Sequence, residues 1–305
     1  MGKVAFIFAG QGAQFGGMGK DLCENNKAAA EIFAQADAIR PGTSEQCFTA
    51  TAEELAKTVN TQPCMFAMEL AAAAAAAEAG LYPDVTAGFS LGELAALTFS
   101  KGMTFEEGFR LVCLRAELMQ ADSDKVDSAM AAILKMEPAQ VEEIASQFDQ
   151  VYPVNYNCPG QITVAGEKEQ LAEYMKAVKA AGGRGIPLRV AGGFHSPFMS
   201  DAAEKFAEAL KDVALKLPEV PTYSDYTGKP YEGDPKDLLA LQIKNPVRWE
   251  LIVRNMIAEG LDTFVEIGPG TTLSGFVSKI DSQVRTFHVE DMASLEEAIK
   301  GVKEC

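Results

Sequence analysis

Basic residues are scarce in this chain. Of its 305 residues, 27 are Lys or Arg and 43 are Asp or Glu, which gives a formal net charge of −16. Proteins that bind nucleic acid need a basic surface to neutralise phosphates, so we expect no nucleic-acid partner. The shortage also makes any cation on an inward-facing position informative, because an unpaired charge inside a protein is costly.

Closely spaced cysteines are lacking as well. None of the six forms a short-spaced pair or a metal-ligand motif, so we expect free thiols and no bound metal. Unpaired cysteines are typical of reducing compartments, and we therefore expect a cytoplasmic location. The cysteines are Cys23, Cys47, Cys64, Cys113, Cys158 and Cys305.

Long apolar runs are absent too. The alanine tract over residues 70–77 ends at Glu78, well short of the length that crosses a bilayer. The apolar stretch from Val4 to Phe8 meets Gly10 almost at once and is shorter than the core of a signal peptide. We therefore expect no membrane partner. Hydrophobic residues make up 48% of the chain, enough for one large or two unequal domains with a sizeable core.

A serine between two glycines is the most informative motif. A short β-forming run leads into Gly88-Phe-Ser90-Leu-Gly92, and helix-forming residues follow. Gly-x-Ser-x-Gly between a strand and a helix is typical of the nucleophile elbow, a turn so tight that side chains two residues either side of the serine would collide. The helix N-terminus favours developing negative charge. The motif predicts that Ser90 is a nucleophile; the alternative is a Gly-Ser loop without chemistry.

A second glycine-rich loop follows the first predicted strand, Lys3 to Phe8. Its Gly10-Gln11-Gly12 lacks the third glycine spacing and the later acidic residue of a dinucleotide site. In serine acyl-transfer enzymes of the α/β type, one oxyanion donor is the N–H after the nucleophile and the other comes from a loop after an early strand. This rule selects the N–H groups of Leu91 and Gln11. The alternative for the second loop is a plain tight turn.

An arginine lies on the inward edge of a predicted helix. Thr104 and Glu107 form a capping box that starts this helix. Arg115 is beside the apolar stripe, whereas Arg110 lies off it and can pair with Glu106 one turn earlier. Either a buried acid neutralises Arg115 or a ligand carboxylate does, and periodicity alone leaves both open. The stripe comprises Phe105, Phe109, Val112, Ala116 and Met119.

The middle of the chain predicts a separate small unit. Alternating apolar patterns and turn residues give the order β-α-β-β-α-β, typical of a ferredoxin-like fold. We predict a ferredoxin-like small domain over residues 124–191, inserted into a large α/β domain made of residues 1–123 and 192–305. The fold class is thus α/β, with a mostly parallel sheet in the large domain.

A serine nucleophile needs a base, and the chain has only two histidines. His288 lies in a late predicted strand among apolar residues, where a structural role is the better interpretation. His195 follows two glycines where the chain leaves the small domain, and catalytic groups concentrate on such loops. We favour His195 and keep His288 as the alternative.

Six motifs together resemble the malonyl-CoA:acyl-carrier-protein transacylases, in the same order and over essentially the whole chain. The family also carries an inserted ferredoxin-like domain, and its core is similar to the α/β hydrolases. The motifs are Gly10-Gln-Gly-Ala-Gln14, Gly88-Phe-Ser-Leu-Gly-Glu93, Leu114-Arg115, Gly193-Phe-His-Ser196, Asn245-Pro-Val-Arg-Trp249 and Glu266-Ile-Gly-Pro-Gly270.

The resemblance implies a Ser90–His195 dyad, with the imidazole oriented by a backbone carbonyl at Gln242. It implies that Gln11 and Leu91 form the oxyanion hole and that Arg115 holds the malonyl carboxylate. Phe194 and Met119 are expected to line the acyl pocket. One departure is Phe89, where the family usually has a histidine that is not the base.

The implied activity is transfer of malonyl from malonyl-CoA to the phosphopantetheine thiol of acyl carrier protein, by a ping-pong route through a malonyl-serine ester. Malonyl-CoA and the carrier protein are then substrates, and no cofactor is expected. The alternatives are a serine esterase or thioesterase and a non-catalytic acyl-carrier-binding module. Some basic residues of the small domain are candidates for a rim that meets the acidic carrier, although a solvated helix face is the favoured alternative: Lys176, Lys179, Arg184 and Arg189.

Overall fold

The computed structural model describes residues 2–190 and 192–303, and this part of the chain forms nine strands and fourteen α-helices. The strands are β1 (Lys3–Phe8), β2 (Val85–Gly88), β3 (Ser128–Leu134), β4 (Val151–Cys158), β5 (Gln161–Glu167), β6 (Arg184–Pro187), β7 (Thr222–Tyr223), β8 (Leu261–Ile267) and β9 (Arg285–Val289). The helices are α1 (Lys20–Asn25), α2 (Lys27–Ile39), α3 (Thr43–Thr49), α4 (Ala52–Leu55), α5 (Thr58–Glu78), α6 (Leu91–Phe99), α7 (Phe105–Ser123), α8 (Pro138–Ala145), α9 (Lys168–Ala180), α10 (Ser200–Leu210), α11 (Lys236–Gln242), α12 (Trp249–Ala258), α13 (Thr272–Ile280) and α14 (Met292–Lys303).

A parallel sheet forms the centre of the large unit. Its strand order is β7-β2-β1-β8-β9, and every neighbouring pair is parallel. The central strand β1 is buried along almost its whole length, which explains its unbroken apolar sequence. Helix α5 packs nearby with nearly all of its residues buried, since its alanines allow close approach on every side. The carboxyl ends of β1 and β2 meet at one edge, where their loops are adjacent.

A four-stranded antiparallel sheet forms the smaller unit. Its order is β4-β5-β3-β6, and β3-α8-β4-β5-α9-β6 along the chain gives the ferredoxin-like arrangement. The fold class predicted from the sequence is thereby confirmed. The predicted domain boundary at residue 191 falls outside the described residues, so the division into 124–191 and the two flanking segments stays a prediction.

The small sheet has two different faces because side chains alternate along a strand. On β3, Ala131 and Ile133 pack into the core under α8 and α9. Met130 and Ala132, the residues between, line cavities that open toward the large unit. The sheet therefore forms one wall of a cleft, and its helices lie on the far side.

Several elements that the residue pattern predicts are wrong in detail. The pattern predicts a helix over residues 52–60, which is broken between α4 and α5, and one from Asn25, which begins at Lys27, where the Asn26 side chain accepts the N–H of Ala29. It also predicts a strand over residues 222–226, but β7 ends at Tyr223. It predicts none of α1, α3, α11, α13 and α14.

None of the helices in the described ranges is long and apolar enough to cross a membrane. The five cysteines of those ranges are free, while Cys305 lies outside them.

Candidate active site at the β2–α6 turn

The elbow serine adopts a backbone conformation that L-residues rarely take. Ser90 has φ 58° and ψ −105°, and helix α6 begins at the next residue. A Cβ on Gly88 would lie 1.9 Å from the carbonyl carbon of Gly92, and one on Gly92 would lie 2.4 Å from the backbone oxygen of Ala9. Both positions therefore require glycine, as the motif predicts, and the turn raises the Ser90 side chain above the sheet edge.

His195 contacts the serine directly. Its Nε2 lies 2.7 Å from Ser90 Oγ, and its Nδ1 lies 2.8 Å from the backbone oxygen of Gln242. Because that oxygen only accepts, Nδ1 carries the proton and Nε2 is free to accept the serine proton. Burial and the nearby Arg115 cation lower the pKa of His195 to about 3, so the imidazole is neutral at physiological pH. The side chain is thus in the protonation state that a general base needs.

The second histidine lies elsewhere. His288 is on β9, partly exposed, with Nε2 3.7 Å from Glu290 Oε1. Its strand is two positions away from β1 and three from the elbow strand β2. The structure therefore brings His195, and not His288, to Ser90.

Arg115 reaches the same hydroxyl from helix α7. The side chain is 1% exposed, and its Nη2 donates to Ser90 Oγ at 3.1 Å and to Gln242 Oε1 at 2.8 Å. Its Nη1 donates to Gln62 Oε1 at 2.9 Å, while Nε has no acceptor among the described residues. Burial lowers the pKa of Arg115 to about 10, which leaves it charged at neutral pH. No described carboxylate forms an ion pair with it, so its charge is held by neutral amides next to the nucleophile.

The two expected oxyanion donors lie in adjacent loops. The Gln11 loop touches the elbow, since a Cβ on Gly10 would lie 3.0 Å from the Phe89 backbone oxygen. Within the described ranges, the N–H groups of Gln11 and Leu91 donate to no turn or side-chain acceptor. Leu91 is also the first residue of α6, where helix N–H groups are unpaired. Both groups are therefore available to an incoming oxygen.

A small cavity lies over the serine and histidine. It has a volume of about 70 Å³ and is lined by Ser90 and His195 together with Phe194 and Met119. Phe89 contributes to the same wall, and its ring centroid lies 5.5 Å from that of Trp249. Phenylalanine here makes the surroundings of the nucleophile more apolar than the histidine that the family usually has.

A larger cavity of about 310 Å³ continues from the first, sharing Gln11, Phe89 and Asn155 with it. Two asparagines of β4 line it: Asn155 is 8% exposed and Asn157 4% exposed. The Oδ1 atom of each has no hydrogen-bond donor among the described residues. This cleft between the two sheets leads from the surface to the serine.

Of the basic residues proposed for a rim, only Arg189 lines a described cavity. Lys176 lies on α9, behind the small sheet, and pairs with Glu173 at 2.6 Å. Lys176 therefore lies away from the cleft, on the solvated helix face that is the favoured alternative to a rim, because α9 packs on the opposite face of the sheet.

Four polar residues of this site have no role predicted from the sequence. Glu93 ends the Gly88–Glu93 motif, but the motif assigns it no function. Gln62 lies at the start of a long predicted helix, and Asn155 and Asp225 lie in segments predicted as strands. These three contact the site only through tertiary packing, and no local pattern distinguishes them.

Comparison with known proteins agrees with this geometry. The model of the acyl transferase domain family matches residues 5–301. A malonyl CoA-acyl carrier protein transacylase of Bacillus subtilis (strain 168) is 38% identical over 312 residues, covering 100% of this chain and 98% of the relative. The structure of one from Clostridium perfringens aligns with a TM-score of 0.95 at 37% identity, covering 99% of this chain and 98% of the other.

A second similar structure contains a partner. It is a type II PKS acyl-carrier protein in complex with its malonyl-transacylase, with a TM-score of 0.94 at 33% identity, covering 98% of this chain and 99% of the other. The match extends over nearly the whole chain and includes the strand–serine–helix turn described above. The chain belongs to the acyl transferase domain family.

Proposed function

We propose that the protein transfers the malonyl group of malonyl-CoA to the phosphopantetheine thiol of an acyl carrier protein. One observation supports this choice above the others: a buried arginine contacts the hydroxyl of a serine that is also bonded to a neutral histidine. An acyl group that carries its own carboxylate is the substrate that such a cation selects. The relatives named above act as malonyl transacylases, and one is seen with a carrier protein.

In the first half-reaction, His195 Nε2 takes the Ser90 proton while Ser90 Oγ attacks the thioester carbonyl carbon. The N–H groups of Gln11 and Leu91 bind the oxyanion that forms. The carbon–sulfur bond then breaks, and the proton on His195 passes to the departing thiol of coenzyme A. The Gln242 carbonyl keeps Nδ1 protonated throughout and holds the ring in place.

Arg115 fixes the acyl chain. On substrate binding, its guanidinium exchanges the neutral Ser90 hydroxyl for the malonyl carboxylate, a stronger charge-assisted acceptor. Gln62 and Gln242 hold the two terminal nitrogens from behind, so the guanidinium plane stays in position. This contact orients the thioester carbonyl toward Ser90 Oγ.

In the second half-reaction, the carrier thiol gives its proton to His195 and attacks the malonyl-serine ester. Ser90 leaves and recovers the proton, so no cofactor takes part. The ester must outlast contact with water, and apolar side chains of both units cover it: Phe89, Met119, Met130, Leu188, Val190 and Phe194. Such cover favours transfer to a thiol over hydrolysis.

The cleft suits the pantetheine arm shared by coenzyme A and the carrier. That arm contains two amide N–H groups, and Asn155 and Asn157 present unpaired acceptors along the cleft wall. Arg189 lines the same cavity and offers a cation to a phosphate at its mouth. The proposed product serves fatty acid or polyketide synthesis, and the cytoplasmic location remains a prediction from the unpaired cysteines.

Incubation with malonyl-CoA followed by intact mass measurement tests the proposal. We expect one malonyl adduct that peptide mapping assigns to Ser90, and no adduct with Ser90→Ala. Adding phosphopantetheinylated carrier protein should discharge the adduct onto the carrier. Release of free malonate without carrier loading would favour the esterase alternative. Absence of any adduct would favour the non-catalytic binding module.

A further inference from the structure

Two buried carboxyl groups lie directly behind the catalytic serine. Glu93 on α6 and Asp225 in the segment after β7 are both fully buried. Asp225 Oδ2 accepts the backbone N–H of Ser90 at 2.6 Å, and Glu93 Oε1 accepts the backbone N–H of Asp225 at 3.3 Å. Neither carboxyl group takes part in the mechanism above. Burying two acids beside each other has a desolvation cost, so their presence suggests a role.

Gln242 connects the two acids to the substrate side of the site. Its Nε2 donates to Glu93 Oε2 at 2.9 Å and to Asp225 Oδ2 at 3.3 Å, while its Oε1 accepts from Arg115 Nη2. The Gln242 amide therefore links both acids to Arg115 by hydrogen bonds, and neither acid forms an ion pair with Arg115. Tyr231 donates its hydroxyl proton to Glu93 Oε1.

The charge balance differs before and after substrate binding. The described titratable groups around the acids are Arg115 on α7, Tyr231 after β7, and His195 on the other side of Gln242. The His195 imidazole is neutral. Arg115 is the single described cation that faces them, so one negative charge on the acids neutralises the empty site. A malonyl carboxylate brings a second negative charge to the same cation, in a region from which water is excluded.

We propose that Glu93 and Asp225 are positioning residues that compete with the substrate carboxylate for the charge of Arg115, so that malonyl binding requires this carboxyl pair to hold its protons. The inference rests on the proposed function, since it takes Arg115 as the malonyl site. It adds that selectivity for a carboxylated acyl group depends on pH while the chemistry at Ser90 does not.

The environment of the pair supports titration near neutrality. Burial raises the pKa of Glu93 to about 7, and burial together with the Glu93 charge holds the pKa of Asp225 well above its usual range. As pH rises through this region, the pair gains negative charge and repels the malonyl carboxylate. Because two coupled carboxyl groups titrate as a unit, the effect belongs to the pair.

The test compares malonyl-CoA with acetyl-CoA, which lacks the carboxylate, from about pH 6 to about pH 9. The ratio of the two kcat/KM values cancels steps common to both, including those of Ser90 and His195. For the wild-type protein we expect this ratio to fall about fivefold or more as pH rises. A ratio that stays constant, or that rises, would overturn the proposal.

Two variants and one control assign the effect. Tyr231→Phe removes a donor that stabilises the Glu93 carboxylate, so the fall in the ratio should move to higher pH. The double variant Glu93→Gln with Asp225→Asn should give a ratio that no longer changes with pH. Glu69→Gln is the control, because Glu69 is equally buried but bonds to none of these residues.

Each result is decisive. A fall that stays in place or moves to lower pH in Tyr231→Phe contradicts the proposal, even if the double variant does not fold. A control that flattens the profile contradicts it as well. Failure of the proposed function itself is distinguishable, because it would appear as a missing Ser90 adduct at every pH.

Discussion

The two walls of the cleft differ in how their polar groups are satisfied. On the large unit, Ser90, His195, Arg115 and Gln242 bond to one another, so the reacting groups are held before substrate arrives. On the small sheet, the side-chain oxygens of Asn155 and Asn157 are unpaired, although both residues are buried. Both walls are buried, but only on the elbow wall do the reacting hydroxyl, the imidazole and the guanidinium ends hold one another in place.

This difference separates catalysis from binding. A serine and a histidine that are already bonded to each other need little reorganisation when the reaction begins. Buried acceptors without donors have an unfavourable energy that a ligand N–H relieves on binding. We therefore expect loss of the Ser90–His195 pair to act on kcat and changes in the sheet wall to act on KM.

The largest expected effect is that of His195→Ala on the elbow wall. Removing the group that accepts the Ser90 proton should lower malonyl labelling and transfer by about 10²–10⁴-fold. The thermal midpoint should stay close to that of the wild type if the loss is chemical. His288→Ala is the matched control and should remain active, since its ring lies on β9 beside Glu290. Loss of activity in the control alone would reverse the assignment.

Arg115→Ala comes next and tests what the buried cation is for. Malonyl transfer should lose the equivalent of about 2–5 kcal/mol, the range for one partner of a buried charge pair. Acetyl transfer should fall little, because acetyl has no carboxylate to bind. Arg115→Lys should recover only part of the selectivity, since a point charge lacks the planar guanidinium.

The control for Arg115 is Arg110→Ala on the same helix. Arg110 is exposed and pairs with Glu106 one turn earlier, so neither acyl group should be affected. The measurements are kcat/KM for both thioesters and the thermal midpoint of each variant. Equal losses for malonyl and acetyl in Arg115→Ala, with a large drop in the midpoint, would show a structural role instead.

Asn157→Ala on the sheet wall should have the smallest effect. Loss of one acceptor for a pantetheine N–H should weaken the binding free energy of malonyl-CoA by about 1 kcal/mol. This loss should appear as a higher KM, with kcat little changed. A short malonyl thioester without the pantetheine amides provides the control and should be used equally well by variant and wild type. Equal loss with both thioesters would place Asn157 outside the arm-binding wall.

The sequence by itself determined the features that depend on neighbouring residues. The glycines of the elbow follow from steric conflict within one turn, and a Cβ at Gly88 would indeed clash with Gly92. The capping box at Thr104 and the inward position of Arg115 follow from helix periodicity, and both are confirmed. The loop context of His195 favours it over His288 as the base, and the family resemblance ranks it first.

Only the tertiary structure decided the remaining site. Asp225 meets Ser90 across 135 positions, and Gln242 meets Glu93 across 149, separations over which no pattern in the sequence predicts contact. The predicted strand over residues 222–226 was wrong because the chain turns after Tyr223 and brings Asp225 under the elbow. The sequence leaves open whether a buried acid or a substrate carboxylate faces Arg115. The structure places the cation beside the nucleophile and two acids one amide behind it, because Gln242 on α11 packs between Arg115 on α7, Glu93 on α6 and Asp225 in the segment after β7.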